Sequence, residues 1–159
     1  MKKIYLFIFI LISINLNASI SSKKVLSLEA AQKMADSCLI LARENNWKMN
    51  IAIYESPNSL KFYAAMDGSY PASENIAKLK GKTSAGLPFT TKDLGQRAFE
   101  GNRSGAGLIT IPGTILIAGG VPIILKDGTH AGGVGVSGDT GDNDERCAKT
   151  AINTLLLLE

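Results

Sequence analysis

The sequence predicts a single α+β domain in which helices cover an antiparallel sheet. Apolar residues recur at helical spacing near both ends of the chain, and the segments between them form short β-rich runs separated by turns. Helices and hairpins in this order, without regular βαβ units, are typical of α+β domains. The length of 159 residues suits one domain and is short for two.

Residues 1–18 have the layout of a secretory signal peptide. Lys2 and Lys3 make the start positive, residues 4–12 are an almost unbroken apolar run, and Ala18 ends the stretch at a small residue. The run is about half as long as a membrane-spanning helix. We expect cleavage after Ala18, a domain of residues 19–159 and a periplasmic or secreted protein; the alternative is a retained N-terminal anchor.

The first long helix is predicted over residues 28–45. Ser27 is placed to cap it, and Asn45-Asn46 stops it. A hairpin follows, with strands over residues 49–55 and 60–66 joined by a turn at residues 57–59. The buried stripe of the helix consists of Ala31, Met34, Ala35, Cys38, Leu41 and Ala42.

A second helix is predicted over residues 73–84, with Ile76, Leu79 and Thr83 on one side and lysines on a solvated face. Gly86-Leu-Pro88 ends it, and Thr90 or Thr91 caps a short third helix that reaches about Phe99.

The C-terminal part is predicted to contain β-rich runs and one more helix. The runs cover residues 108–111, 114–118, 121–126 and 131–137, with a tight turn at Asp127-Gly128. The last helix begins at Asp142 or Asn143. Its apolar face carries Cys147, Ala148, Ala151, Ile152 and Leu155.

Gly133-Val-Gly-Val-Ser-Gly138 has the G-x-G-x-x-G spacing of a dinucleotide-binding turn, but its context excludes a nucleotide. Such a site needs a second parallel strand after the helix, and here the helix runs to the C-terminus. Acidic residues would also repel a pyrophosphate at the helix start. Gly133 and Gly135 instead share one face of a strand, which marks the close approach of a helix, a partner subunit or a flat ligand.

The remaining residues give only weak indications of a catalytic or metal site. His130 is the only histidine, which excludes mechanisms that require two. The acidic residues at the last helix are better explained by helix capping than by a hard cation. Removal of Lys2 and Lys3 lowers the formal charge from +3 to about +1, and we expect no nucleic-acid partner. The acidic residues are Asp139, Asp142, Asp144 and Glu145.

Cys38 and Cys147 are the only cysteines. Export to an oxidising compartment permits a disulfide between them. The alternative is two small buried thiols, because each cysteine lies on the apolar face of its predicted helix.

Three motifs of the C-terminal part carry a family resemblance: the run from Ile111-Pro-Gly-Thr114 to Ile123, the segment 132–138, and Asp144-Glu145. Together they resemble the GlcG/HbpS family of haem-binding-protein-like domains. Upstream, Ser27-Leu-Glu-Ala-Ala31, Met66-Asp-Gly68 and Lys80-Gly-Lys-Thr83 resemble the family's opening helix, hairpin end and second helix. These motifs occur in the family's order over nearly all of residues 25–158.

The resemblance implies an α-β-α sandwich with a central antiparallel sheet, in a profilin-like layout, that assembles into homo-oligomers. Some members are exported and bind haem, and one type serves a membrane sensor kinase as a redox- and iron-responsive accessory. Others are encoded beside glycolate or diol metabolism. The chain is therefore expected to be an exported haem-binding protein for scavenging, storage or sensing. The alternatives are a cofactor-free oligomeric interaction module and an enzyme acting on a small 2-hydroxy acid or a corrinoid.

The resemblance also implies the haem site. It places Thr114 at or near the haem iron, with Ile111 and Pro112 lining the pocket. A threonine hydroxyl is a weak iron ligand, so burial of the apolar faces of the ring would contribute most of the binding. Haem iron degrades peroxide without a dedicated active site, so weak peroxidase activity would not by itself indicate an enzyme. Candidates for the propionates are Lys80, Lys82 and Arg97, and His130 is the stronger intrinsic iron ligand.

Overall fold

The structure, a computed structural model, describes residues 24–100 and 105–158, so the predicted signal peptide lies outside the described residues. Within these ranges a four-stranded antiparallel sheet has the order β2-β1-β4-β3. No described helix combines the length and apolar character needed to cross a bilayer. The elements are α1 (Leu28–Glu44), β1 (Asn50–Ser56), β2 (Ser59–Ala65), α2 (Ser73–Gly86), α3 (Thr91–Phe99), a 3₁₀ helix (Ala106–Thr110), β3 (Gly120–Ile124), β4 (His130–Ser137) and α4 (Gly141–Leu158).

The two faces of the sheet carry different helices, which confirms the predicted α-β-α sandwich. Helices α1 and α4 pack against each other and cover the face to which Ile51, Ile53, Val134 and Val136 contribute. Helix α2 covers the other face, where a smaller cluster joins Ala52 and Tyr54 to Ala77 and Ala85. The alternation predicted for residues 49–55 is thus real, but both of its faces are buried.

A disulfide joins α1 to α4. Cys38 and Cys147 are both fully buried, with their Cα atoms 4.8 Å apart. This bond decides between the two states that the sequence left open. It closes a loop with a sequence separation of 109 residues, so it removes much conformational entropy from the unfolded chain.

The glycines of β4 let α2 approach the sheet closely. A Cβ atom on Gly135 would lie 2.0 Å from the carbonyl oxygen of Ala77, and one on Gly133 would lie 2.4 Å from the backbone nitrogen of Ala85. Neither distance leaves room for a methyl group. Of the three partners considered for these glycines, the structure therefore shows a packed helix.

Two predicted strands are wrong. Residues 108–111 lie mostly in the 3₁₀ helix, where the Leu108 N–H donates to the Gly105 carbonyl at 3.0 Å. Residues 114–118 form an irregular segment. The β-branched residues in both runs favour strands, but local hydrogen bonds and side-chain acceptors satisfy the backbone instead.

We expect Gly135→Ala to lower the free energy of unfolding by about 3 kcal/mol or more, because the new methyl group must push α2 away from the sheet. Urea unfolding followed by circular dichroism measures the change. Gly107→Ala is the matched control, since nothing lies within 4 Å of a Cβ atom built there. Equal midpoints for the two variants would contradict the packing described above.

The double variant Cys38→Ala/Cys147→Ala should lower the free energy of unfolding by about 2–5 kcal/mol, the range for native disulfides that close long loops. The same urea experiment measures the loss. Wild-type protein unfolded and refolded in reductant should match the double variant. An unchanged midpoint would show that the disulfide contributes nothing to stability.

Candidate functional site

An open cavity lies where the end of α2, the turn between β1 and β2, and the segment after the 3₁₀ helix meet. Its volume is about 310 Å³. Three residues that the family resemblance implies for the haem pocket, Ile111, Pro112 and Thr114, are in its wall. The complete lining is Pro57, Asn58, Lys82, Thr83, Gly86, Leu87, Ile111, Pro112, Gly113 and Thr114.

A larger cavity, of about 410 Å³, lies between the start of α1, the β3–β4 hairpin and the end of α4. Leu26, Leu125 and Leu155 are among its lining residues. It contains none of the residues that the sequence analysis gives as candidates for binding haem, so its size alone does not make it the functional site. We take the smaller cavity as the candidate site.

Ile111-Pro-Gly-Thr114 forms a type II β-turn at the cavity wall. Pro112 presets the backbone of the first central position, and Gly113 occupies the second with a φ of 77°. The Thr114 N–H donates to the Ile111 carbonyl at 3.3 Å. The Thr114 hydroxyl donates to the same carbonyl at 2.8 Å, so its proton is engaged while the lone pairs of Oγ1 remain able to accept.

Threonine side chains of α2 and α3 hold the irregular segment that follows this turn. Thr83 Oγ1 accepts from the Ile115 N–H at 3.0 Å and donates to the Leu79 carbonyl at 2.9 Å. Thr91 Oγ1 donates to the Ile117 carbonyl at 2.6 Å. These bonds replace the sheet partners that the predicted strand would have needed.

His130 closes the C-terminal end of α2. Its Nε2 lies 2.8 Å from the Ser84 carbonyl oxygen, and because a carbonyl only accepts, Nε2 must donate its proton. The usual helical donor to this carbonyl would be residue 88, which is a proline without an N–H. His130 does not line the cavity. Its Nε2 carries the donated proton and is therefore not available to a metal.

Lys80 is buried on the other side of α2, which corrects the prediction that the lysines of this helix are solvated. Its Nζ donates to Asp144 Oδ2 at 2.7 Å and to the Val136 carbonyl at 2.9 Å. The side chains of Lys80 and Asp144 are 2 % and 3 % exposed. Burial lowers the pKa of Lys80 and raises that of Asp144, and the hydrogen bond between them offsets part of each shift.

The glycines of the Gly119-Gly120 pair make room for this ion pair. A Cβ atom on Gly119 would lie 2.7 Å from Lys80 Nζ, and one on Gly120 would lie 2.7 Å from the Lys80 carbonyl oxygen. Lys80 is therefore a structural residue that anchors α2 to β4 and α4. It does not reach the cavity.

The remaining sequence candidates also lie elsewhere. Arg97 stacks over the Phe89 ring, 4.2 Å from its centroid, and is not in the cavity wall. The acidic residues near α4 bond to the protein itself; for example, Asp142 pairs with Lys92 at 2.7 Å. No group of three or more His, Cys, Asp or Glu side chains is arranged to hold a metal ion within residues 24–100 and 105–158.

Sequence reasoning missed the second wall of the cavity. Pro57 and Asn58 come from the β1–β2 turn, and Gly86 and Leu87 come from the end of α2. A Cβ atom on Gly86 would lie 3.0 Å from Pro57 Cγ, so these two turns nearly touch. The sequence predicts a turn at residues 57–59 and a helix end at residues 86–88, but no sequence signal indicates that the two meet.

Comparison with known proteins identifies the family. A model described as "Haem degrading protein HbpS-like" matches residues 26–153. The chain belongs to the HbpS-like family. It is 31 % identical to Protein GlcG of Escherichia coli K12 over 123 residues, which cover 74 % of this chain and 85 % of that protein.

Solved structures share the HbpS-like fold. A double mutant of HbpS from Streptomyces reticuli superposes with a TM-score of 0.77 at 29 % identity, covering 86 % of this chain and 90 % of that one. The PduOC:heme complex superposes with a TM-score of 0.73 at 20 % identity, covering 82 % of this chain and 95 % of that one. At 20 % identity the similarity concerns the fold alone. These matches confirm the family and the α+β fold expected from the sequence.

We expect Thr83→Val to loosen the segment that carries Ile115, because valine keeps the shape of threonine but cannot accept from the Ile115 N–H. Hydrogen exchange of that amide should accelerate by up to about tenfold, which corresponds to one ordinary hydrogen bond. Thr154→Val is the matched control, since Thr154 Oγ1 also donates to the carbonyl four residues earlier. Equal hydrogen-exchange rates of the Ile115 amide in the two variants would show that Thr83 does not stabilise this segment.

Proposed function

We propose that this protein binds haem in the cavity formed by the Ile111–Thr114 turn and the end of α2. The observation that carries the proposal is the composition of this cavity. Its wall joins apolar surface from Pro57, Leu87, Ile111 and Pro112 to a single cationic side chain, Lys82, and contains no carboxylate. Such a site suits a flat, largely apolar ligand that carries negative charge.

The residues present fit a haem in three respects. The volume of about 310 Å³ is at the lower end of the range for small-molecule sites, roughly 300–1,000 Å³, so the open cavity would cover part of the ring. Thr114 Oγ1 retains lone pairs as a weak iron ligand. Lys82 supplies a charge for a propionate. When bound, haem would contribute redox-active iron, and the chain's own residues would hold the ring and limit access of water.

Export is part of the proposal. The buried disulfide between Cys38 and Cys147 supports it, because disulfides persist in oxidising compartments. The layout of residues 1–18 supports it independently. We therefore propose a periplasmic or secreted protein that scavenges or stores haem, or reports iron and redox state to a membrane sensor.

Assembly into a homo-oligomer belongs to the same proposal. Apolar side chains on α3 and on the 3₁₀ helix are exposed, including Phe99 at 71 % and Ile109 at 59 %. Exposed apolar side chains on neighbouring elements are typical of surfaces that a second subunit covers. The same exposure is compatible with the second candidate function, a cofactor-free oligomeric interaction module.

Hemin titration distinguishes the two candidates. Purified protein should shift the Soret band of hemin at micromolar concentration with a saturable stoichiometry. Absence of a shift in protein with normal circular dichroism would exclude haem binding and favour the cofactor-free module.

Thr114→Ala should move the Soret maximum and weaken hemin binding, because it removes the hydroxyl of a residue in the cavity wall. Thr110→Ala is the matched control: Thr110 Oγ1 also donates to the carbonyl three residues earlier, at 2.7 Å, but lies outside the cavity wall. His130→Ala should leave the Soret maximum unchanged and lower stability by about 1 kcal/mol, the value of the lost hydrogen bond. A Soret change in His130→Ala and none in Thr114→Ala would reverse the proposed ligand assignment.

A further inference from the structure

Lys82 differs from several other lysines of this protein, which form ion pairs with carboxylates. Lys61 pairs with Glu55, Lys78 with Glu74 and Lys149 with Glu145. Lys82 makes no salt bridge with a carboxylate in the described part of the chain, although it is half-buried in the cavity wall. A cation in an apolar wall without an acidic neighbour is suited to an anion brought by a ligand.

We propose that Lys82 is the residue that recognises a ligand carboxylate in this cavity. The site would therefore select flat apolar ligands that carry at least one carboxylate group, and the carboxylate would be needed for full affinity. This assignment rests on the proposed haem-binding function and adds a specificity determinant to it.

The geometry of α2 selects Lys82 among the three lysines of this segment. Lys80 is turned into the core and bonded to Asp144. Lys78 pairs with Glu74 and lies over the Tyr63 ring, 4.7 Å from its centroid. Lys82 alone of the three lines the cavity.

Without Lys82, the C-terminal end of α2 would disfavour a bound anion. Free carbonyl groups at a helix C-terminus carry partial negative charge, and the cavity lies beside the last turn of α2. Two of these carbonyls already have donors, since Leu87 N–H donates to the Thr83 carbonyl at 2.9 Å and His130 donates to the Ser84 carbonyl. Lys82 adds a full positive charge, and the cavity wall contains no acidic side chain to cancel it.

The experiment separates the charge of the ligand from its apolar surface. Deuteroporphyrin IX and its dimethyl ester have the same ring and side chains, but only the former carries carboxylates, and neither contains iron. Both are titrated by fluorescence against wild-type protein, Lys82→Gln, Lys82→Arg and Lys78→Gln in the same cosolvent. Lys78→Gln is the matched control, because it removes one positive charge from the same helix outside the cavity.

We expect Lys82→Gln to weaken binding of the dicarboxylate by about three- to tenfold, as for one ordinary hydrogen bond, because Lys82 is only half-buried and water screens its charge. Binding of the ester should change by less than about twofold, well under 1 kcal/mol, because the ester has no carboxylate for Lys82 to contact. Lys82→Arg should restore most of the lost affinity, and Lys78→Gln should behave like the wild type.

Two results would overturn the assignment of Lys82. The first is an equal loss for both porphyrins in Lys82→Gln, which would show that the lysine only supports the cavity wall. The second is wild-type affinity of Lys82→Gln for the dicarboxylate. If wild-type protein binds neither porphyrin nor hemin, the proposed function itself fails, and the Lys82 assignment fails with it.

Discussion

The close packing of α2 on the backbone of β4 is the constraint on which the rest of the structure depends. A helix usually stands off a sheet by the length of the intervening side chains, but here glycines at positions 133 and 135 of the strand and at position 81 of the helix remove them. A Cβ atom on Gly81 would lie 3.0 Å from the Ala52 carbonyl oxygen and 3.2 Å from the Gly135 backbone nitrogen. Main chain therefore faces main chain. The depth and rotation of α2 are set by contacts that no rotamer change can adjust.

This rotation assigns opposite roles to two lysines that are two residues apart. Successive residues turn by about 100° around a helix, so Lys80 and Lys82 point in nearly opposite directions. Lys80 enters the core, where its two hydrogen bonds offset the cost of burying an ion pair. Lys82 is consequently carried outward to the cavity. A change that rotated α2 would disturb the buried ion pair and the candidate ligand site together.

The parts of the fold that depend on a single periodic pattern could be predicted from the sequence. The apolar stripes of α1 and α4 are regular, and alternation of glycine with valine in β4 separates its two faces correctly. The segments 108–111 and 114–118 could not be assigned in this way. The backbone of the first makes local 3₁₀ hydrogen bonds despite its β-branched residues, and the hydrogen-bond partners of the second are distant in sequence. Thr91 Oγ1, for example, donates to the Ile117 carbonyl at 2.6 Å, and a composition rich in β-branched residues does not indicate such a contact.

The candidate site shows why residue type alone is a poor guide to ligand chemistry. By intrinsic basicity His130 is a better iron ligand than any threonine, and Lys80, Lys82 and Arg97 are equivalent cations. The environment places these residues in different settings. Pro88 leaves the Ser84 carbonyl without its usual donor, so the Nε2 proton of His130 is committed there, whereas the Thr114 hydroxyl gives its proton to Ile111 and keeps its lone pairs. Arg97 is held over Phe89 and Lys80 is held by Asp144. Thr114 and Lys82 therefore stand out as candidates because they lie in the cavity wall with unused bonding capacity: Thr114 Oγ1 keeps its lone pairs, and Lys82 has no carboxylate partner among the described residues.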